Sequence, residues 1–235
     1  MKDARLVLEL VRKACPRGAF PGRSGEQVSD WPSDPFHVLI STVLSQRTKD
    51  ANTYAASAAL FKEYDTPEDI AQAPLDEIAR LVRPAGFPET KARAIKEIAR
   101  RVHEDMGGVV PKDMDALLSL PMVGRKTANC VLAYAFHEPA VCVDTHVHRI
   151  SNRIGLVRTD DPEGTEMALM REVPRDLWID INSLLVTFGQ TICLPRNPRC
   201  TGCPVAPHCD YFSDLRASTS STGNLRTTKG RKPKT

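Results

Sequence analysis

Apolar positions recur at helical spacing along almost the whole chain. Residues 2–14 set Leu6, Leu8, Leu10 and Val11 among charges, which predicts an amphipathic helix. Residues 35–46, PFHVLISTVLSQ, are apolar nearly all round and predict a helix buried on every side. Segments 50–63, 75–82, 89–106, 113–119, 125–136, 145–155, 163–172 and 176–188 also look helical. Start and stop signals agree with this reading. Thr66-Pro67 precedes Glu68 and Asp69, Asp161-Pro162 precedes Glu163, and Gly107-Gly108 and Gly155 close helical runs. No stretch joins sustained alternation to hairpin turns. The expected fold class is all-α.

Two stretches break the pattern. Residues 15–34, CPRGAFPGRSGEQVSDWPSD, are rich in Gly, Pro and Ser and predict a loop between helices. Residues 213–235 hold almost nothing apolar and predict a disordered tail. That tail carries six bases against one acid, whereas the preceding residues carry 26 bases against 28 acids. A nearly neutral body binds nucleic acid through a local patch or through backbone amides, not through a general basic surface. No apolar run approaches the roughly 20 residues of a membrane helix. The charged N-terminal stretch does not read as a signal peptide. The expected setting is cytoplasmic and nucleoid-associated.

The segment Leu120-Pro121-Met122-Val123-Gly124-Arg125-Lys126-Thr127-Ala128 carries the first candidate chemistry. A helix ends near Ser119, Pro121 stops it, Gly124 permits a tight turn, and a new helix begins near Arg125. Such a turn aims unpaired N–H groups and a helix N-terminus outward, which suits a phosphate. It is also what an ordinary turn between two helices looks like. Lys126 tips the balance, because it stands in the first helical turn, where the macrodipole disfavours a cation. That field, the neighbouring Arg125 and partial burial are expected to lower its pKa, as a nucleophilic lysine requires.

Downstream lies Val141-Cys142-Val143-Asp144-Thr145-His146-Val147-His148-Arg149. Asp144 reads as a helix N-cap, and an ionised carboxylate fixed there could also stabilise a cationic transition state at a sugar. His146 and His148 have no acid or cysteine partner at helix spacing and are expected at the surface or against DNA. Four of the seven cysteines follow the spacing Cys193-x6-Cys200-x2-Cys203-x5-Cys209. That density points to one metal centre, either zinc or iron–sulfur, and the spacing alone does not separate the two. Cys15, Cys130 and Cys142 lie in mostly apolar contexts and read as core thiols.

Together and in this order, LPMVGRKTANCVL, VDTHVHR and the cysteine spacing resemble the endonuclease III family of DNA glycosylases, within the helix-hairpin-helix superfamily. LSQRTKD and CVDTHVHRISNRIGLV are similar to archaeal-type members in particular. The likeness covers about residues 1–212. It implies two helical domains with a DNA-binding cleft between them. Residues 28–138 would form a helical barrel carrying the hairpin, and residues 139–212 a cluster domain packed with the N-terminal helix and loop, 1–27.

The likeness further implies a [4Fe–4S] cluster on Cys193, Cys200, Cys203 and Cys209. Its partner would be double-stranded DNA holding damaged bases or abasic sites, bound by a monomer. In the implied reaction Lys126 attacks the sugar C1′, Asp144 assists, the damaged pyrimidine leaves, and β-elimination nicks the strand. Leu120, Met122, Gly124, Arg125, Thr127 and His146 would contact DNA. Ungapped alignment puts Arg47, with Gln46 beside it, where the family fills the gap left by the flipped base. Met122 stands where the family usually has glycine, so an altered hairpin is expected, because a Cβ restricts positive φ. Competing readings are a mismatch-directed glycosylase and a non-catalytic iron–sulfur protein that binds DNA or senses redox state.

Overall fold

The computed structural model describes residues 2–15 and 34–223. The expected loop at 15–34 falls almost entirely outside the described residues, as does the tail from residue 224. No strand occurs among the described residues. Their α-helices are α1 (Ala4–Ala14), α2 (Pro35–Ser45), α3 (Asp50–Glu63), α4 (Pro67–Gln72), α5 (Leu75–Leu81), α6 (Pro88–Glu104), α7 (Met114–Leu118), α8 (Arg125–Ala135), α9 (Thr145–Ile154), α10 (Pro162–Glu172), α11 (Trp178–Thr191) and α12 (Asp210–Gly223).

Local chemistry explains where the helices begin. Asp34 caps α2 by accepting from the N–H groups of Phe36 and His37, and Pro35 supplies a preset first φ. Thr66 and Asp69 form a reciprocal capping box on α4. Asp161 caps α10, and Gly155 ends α9 in the left-handed region at φ 85°.

Two apolar cores organise the chain. The first gathers Phe36, Leu39, Ile40 and Leu44 of α2 with Ile95 and Ile98 of α6 and Val131 of α8. The all-round apolar character of α2 is thus satisfied by neighbours on several sides. The second core joins Val7, Leu8 and Val11 of α1 to Ile150 and Ile154 of α9 and Leu185 and Phe188 of α11. The N-terminal helix therefore packs with the C-terminal half of the chain. Between α9 and α11 the approach is close. A Cβ on Gly189 would crowd His146 Nδ1 and lie 2.8 Å from Ile150 Cδ1, so any larger residue there would force these side chains to shift.

The tail expectation needs correcting at its start. Residues 213–223 continue α12, where disorder was expected from composition. The first turn of that helix is tied down. Asp210 pairs with Lys2 at 2.6 Å, and Tyr211 lies under the Arg153 guanidinium, 4.8 Å from its ring centroid. A helix started by tertiary contacts carries through Ser- and Thr-rich sequence that would not start one.

Candidate active site

The turn between α7 and α8 is built as its residues dictate. Leu120 and Val123 are buried in the first core and anchor the turn from below. Gly124 precedes α8 and has no side chain to cap it, so the first N–H groups of that helix remain for another acceptor. Met122 adopts φ 59°, the left-handed region, with its side chain exposed. The Cβ therefore does not divert the turn; Met122 takes the backbone shape that glycine would take, at some cost in strain. Two residues expected at DNA are corrected. Leu120 is 2% and Thr127 3% exposed, so both serve packing beneath the hairpin.

Lys126 stands in the first turn of α8, with its side chain accessible from the cleft between the two halves. The cleft, about 440 Å³, is lined by Arg125, Lys126, Val143, Asp161, Glu163 and Glu166. Crowding by these walls pushes the lysine pKa down, while the charges of Asp144 and Asp50 push it up. Arg125 does not contribute as expected from sequence. Its guanidinium is neutralised by Glu166 of α10, with Nη2 at 2.5 Å from Oε1 and Nε at 3.2 Å from Oε2. Glu166 is almost fully buried, so this pair ties the hairpin to the second half of the chain.

Asp144 caps α9. Its Oδ1 accepts from the N–H groups of His146 at 2.9 Å and Val147 at 2.8 Å, and Oδ2 makes no hydrogen bond among the described residues. His146 is half-buried against Gly189, with Nδ1 3.2 Å from Arg149 Nη2, and burial pushes its pKa down. It is therefore a packed residue at the cleft's edge rather than a free surface histidine. His148 is also engaged, its Nδ1 2.7 Å from Thr165 Oγ1.

The connection between α2 and α3 brings the two gap-filling alternatives apart. Gln46 turns inward and donates from Nε2 to Met122 O at 2.7 Å, which joins this connection to the hairpin. Arg47 turns outward, exposed, at φ 53°, with its guanidinium 5.5 Å from the Phe87 ring centroid. Phe87 is itself 59% exposed at φ 51°. The sequence reading missed Phe87 and Asp50. The only sequence trace of Phe87 is an aromatic set between Gly86 and Pro88, and Asp50 is simply the first residue of the helical segment 50–63.

Cys193, Cys200, Cys203 and Cys209 line one small cavity beside Ile154, Phe188 and Val205, and none of them is in a disulfide. Backbone N–H groups of Val205 and Ala206 point at Cys203, and those of Tyr211 and Phe212 at Cys209. Burial pushes all three thiols of Cys200, Cys203 and Cys209 up. Elsewhere the cysteine reading is corrected. Cys130 of α8 and Cys142 form a disulfide with Cα atoms 5.5 Å apart, so these are not free core thiols. It links the helix of Lys126 to the segment leading into Asp144. Cys15 is a buried free thiol, as expected.

Residues 40–175 match the HhH-GPD superfamily of base excision DNA repair proteins. The chain is 48% identical over 207 residues to endonuclease III of Thermotoga maritima, covering 88% of this chain and 93% of that one. It superposes with a TM-score of 0.79 and 34% identity on a trapped endonuclease III–DNA covalent intermediate, covering 90% of this chain and 96% of that one. A thermostable thymine-DNA glycosylase superposes at 0.75 with 30% identity, covering 89% and 94%.

Proposed function

The chain belongs to the HhH-GPD superfamily of base excision DNA repair proteins and, within it, to the endonuclease III family, and from that premise we propose how its own residues perform the reaction. It is a bifunctional DNA glycosylase and abasic-site lyase. Its nucleophile is Lys126. The neutral amine attacks C1′ of the damaged nucleotide, and the C1′–base bond breaks with its electrons leaving on the base. The C1′–O4′ bond then opens, its electrons leaving on O4′, which takes up the proton the amine gives up, so that nitrogen and C1′ are joined as a Schiff base; loss of a C2′ proton then expels the 3′ phosphate by β-elimination. Asp144, fixed by its cap, faces the positive charge that builds on the sugar.

DNA lies along the cleft. The open N–H groups of α8 take a backbone phosphate, with Gly124 and Met122 at the tip of the hairpin. Arg47 enters the gap left by the extruded base, and Phe87 supports it. Arg125, engaged with Glu166, acts as a structural tie first. The substrate class is oxidised pyrimidines in duplex DNA, the enzyme works as a monomer on cytoplasmic DNA, and no described helix is long and apolar enough to cross a membrane.

The four-cysteine cavity is proposed to hold a [4Fe–4S] cluster. The four cysteines line one small cavity, and the N–H groups aimed at their sulfurs favour thiolate ligands to a single metal centre. Likeness to the endonuclease III family is what favours a cluster over zinc there. Bound there, the cluster would cross-link the last turns of the chain and carry no step of base removal.

The single observation that carries the mechanism is an accessible lysine whose pKa is lowered at the mouth of an uncapped helix, with Asp144 acting on it electrostatically. Lys126→Gln should abolish borohydride trapping on abasic DNA while leaving duplex binding largely intact. A trapped complex with that variant would mean another amine is the nucleophile. Base release without any trapping by the parent enzyme would favour a monofunctional glycosylase.

A further inference from the structure

Lys91 is the largest side chain fully enclosed in the first core, only 1% exposed, and the reaction just described does not use it. Its Nζ lies 2.7 Å from Leu44 O, 2.9 Å from Gln46 O, 2.7 Å from Thr48 Oγ1 and 2.8 Å from Ala85 O. No carboxylate is among these partners. A buried ammonium costs a great deal to desolvate, so it persists only where its donors are met and where it does something a smaller apolar residue would not. The acceptors come from two separate connections. Leu44 and Gln46 end α2, where carbonyls lack helical partners and a cation is favoured. Ala85 closes the short turn before α6. Thr48 completes the bridge, its single hydroxyl proton lying within reach of Gln46 O at 3.0 Å and of Ala85 O at 2.5 Å.

What this cluster encloses is informative. Arg47 sits between Gln46 and Thr48, and Phe87 two residues beyond Ala85; the Lys91 backbone N–H itself donates to Phe87 O at 3.0 Å. Both Arg47 and Phe87 hold left-handed backbone conformations without being glycine, at φ 53° and 51°. Side chains with a Cβ stay in that region only where surrounding structure over-determines them. The Lys91 ammonium, with the Thr48 hydroxyl beside it, grips both connections from beneath.

We propose that Lys91 is a positioning residue for base extrusion, its buried ammonium clamping the two connections so that Arg47 and Phe87 are presented together at the DNA. This rests on the reading of Arg47 as the gap-filling side chain. A clamp that sets the wedge matters when a base must be driven out of the stack and held out. It matters much less when the site is already abasic, because there is no base to extrude.

The test is single-turnover cleavage of two duplexes, one carrying thymine glycol and one a pre-formed abasic site, by the natively purified enzyme. Lys91→Gln should slow excision of thymine glycol by roughly 10- to 100-fold, the scale of a small misplacement. Abasic-site cleavage should stay within about threefold. In an Arg47→Ala background the same substitution should add little further loss, since both changes disable one device. Equal losses on both duplexes, or losses that multiply in the double variant, would make Lys91 a structural residue and overturn the proposal. So would an Arg47→Ala enzyme that excises normally, because Lys91 would have nothing to act through. Thr48→Val, which cuts the bridge to Ala85 O but keeps the ammonium, should show the same selectivity on a smaller scale and serves if Lys91→Gln does not fold. A parent enzyme inactive on both duplexes would sink the glycosylase reading itself, whereas an active parent with unselective variants sinks only the clamp.

Discussion

The tie between Arg125 and Glu166 is asymmetric, and the asymmetry has a measurable consequence. Arg125 is 37% exposed at its side chain and Glu166 only 5%. Arg125→Met strands a carboxylate with almost no access to water. Leaving such a charge unpaired costs about 3–5 kcal/mol, and the open cleft beside it argues for the lower end, about 3 kcal/mol. Glu166→Gln strands a guanidinium that can rehydrate, keeps a carbonyl for it to bond, and leaves Glu163 3.9 Å away as a partner. That loss should be about 1 kcal/mol, the worth of one weakened hydrogen-bonded pair. For a chain of this size 1 kcal/mol moves the melting temperature by about 2–4 °C. Thermal unfolding followed by circular dichroism should therefore fall by about 6–12 °C for Arg125→Met and about 2–4 °C for Glu166→Gln. The double variant should melt above Arg125→Met alone, because removing the stranded charge recovers part of the loss. If Glu166→Gln proves as damaging as Arg125→Met, the carboxylate is not the group whose burial matters and the argument fails.

Two further outcomes follow from the site. Burial lowers the Lys126 pKa from its ordinary 10.5 and Asp144 raises it, so Asp144→Asn should lower it further. The acid limb of borohydride trapping on abasic DNA should then move to lower pH even as base release slows, and a limb that stays or moves up would remove Asp144 as an electrostatic partner. Natively purified protein should contain iron and sulfide, and Cys203→Ser should lose both and destabilise α12 and the second core, because ligation contributes to folding; stoichiometric zinc without iron–sulfur absorption would refute this.

The parts of the structure legible in the sequence are those written by local chemistry. α2 was visible as an apolar run, α8 as the helix after Gly124, and α9 as the helix after Asp144, because period and cap lie within a few neighbouring residues. α4 shows no helical period in the sequence despite the start signal at Thr66-Pro67, since its six residues are too few to show one. α12 was hidden because its helix depends on Lys2 and Arg153, far away in sequence. The same distinction holds in the site. Lys126, Asp144 and the four cysteines each sit in a compact motif. Glu166, Asp50 and Phe87 acquire meaning only when folding brings them beside residues tens of positions away. The Cys130–Cys142 disulfide escaped because each cysteine, taken alone, sits in a stretch that reads as core.

On the proposed mechanism, the opposed influences on Lys126 show why an N-cap is a good place for the assisting acid. A lysine must be neutral to attack, so burial, which disfavours the cation, helps the first step. After attack the same nitrogen becomes cationic, and burial alone would then oppose the intermediate. A nearby carboxylate reverses this, at the cost of raising the ground-state pKa somewhat. The compromise works only if the carboxylate cannot collapse onto the ammonium in the ground state, for a tight ion pair would keep the lysine protonated. Asp144 is prevented from doing so by α9. Its Oδ1 is held by two N–H groups at 2.8 and 2.9 Å, which spends one oxygen on the helix and fixes the direction of the other. The partly positive helix end also moderates the charge that Lys126 feels at rest. The interaction can then be stronger in the transition state, when the sugar carbon itself is positive, than in the resting enzyme, and in the proposed mechanism that difference is what accelerates base release. On the proposed mechanism capping and catalysis are therefore one placement of Asp144, each depending on the two hydrogen bonds that hold it.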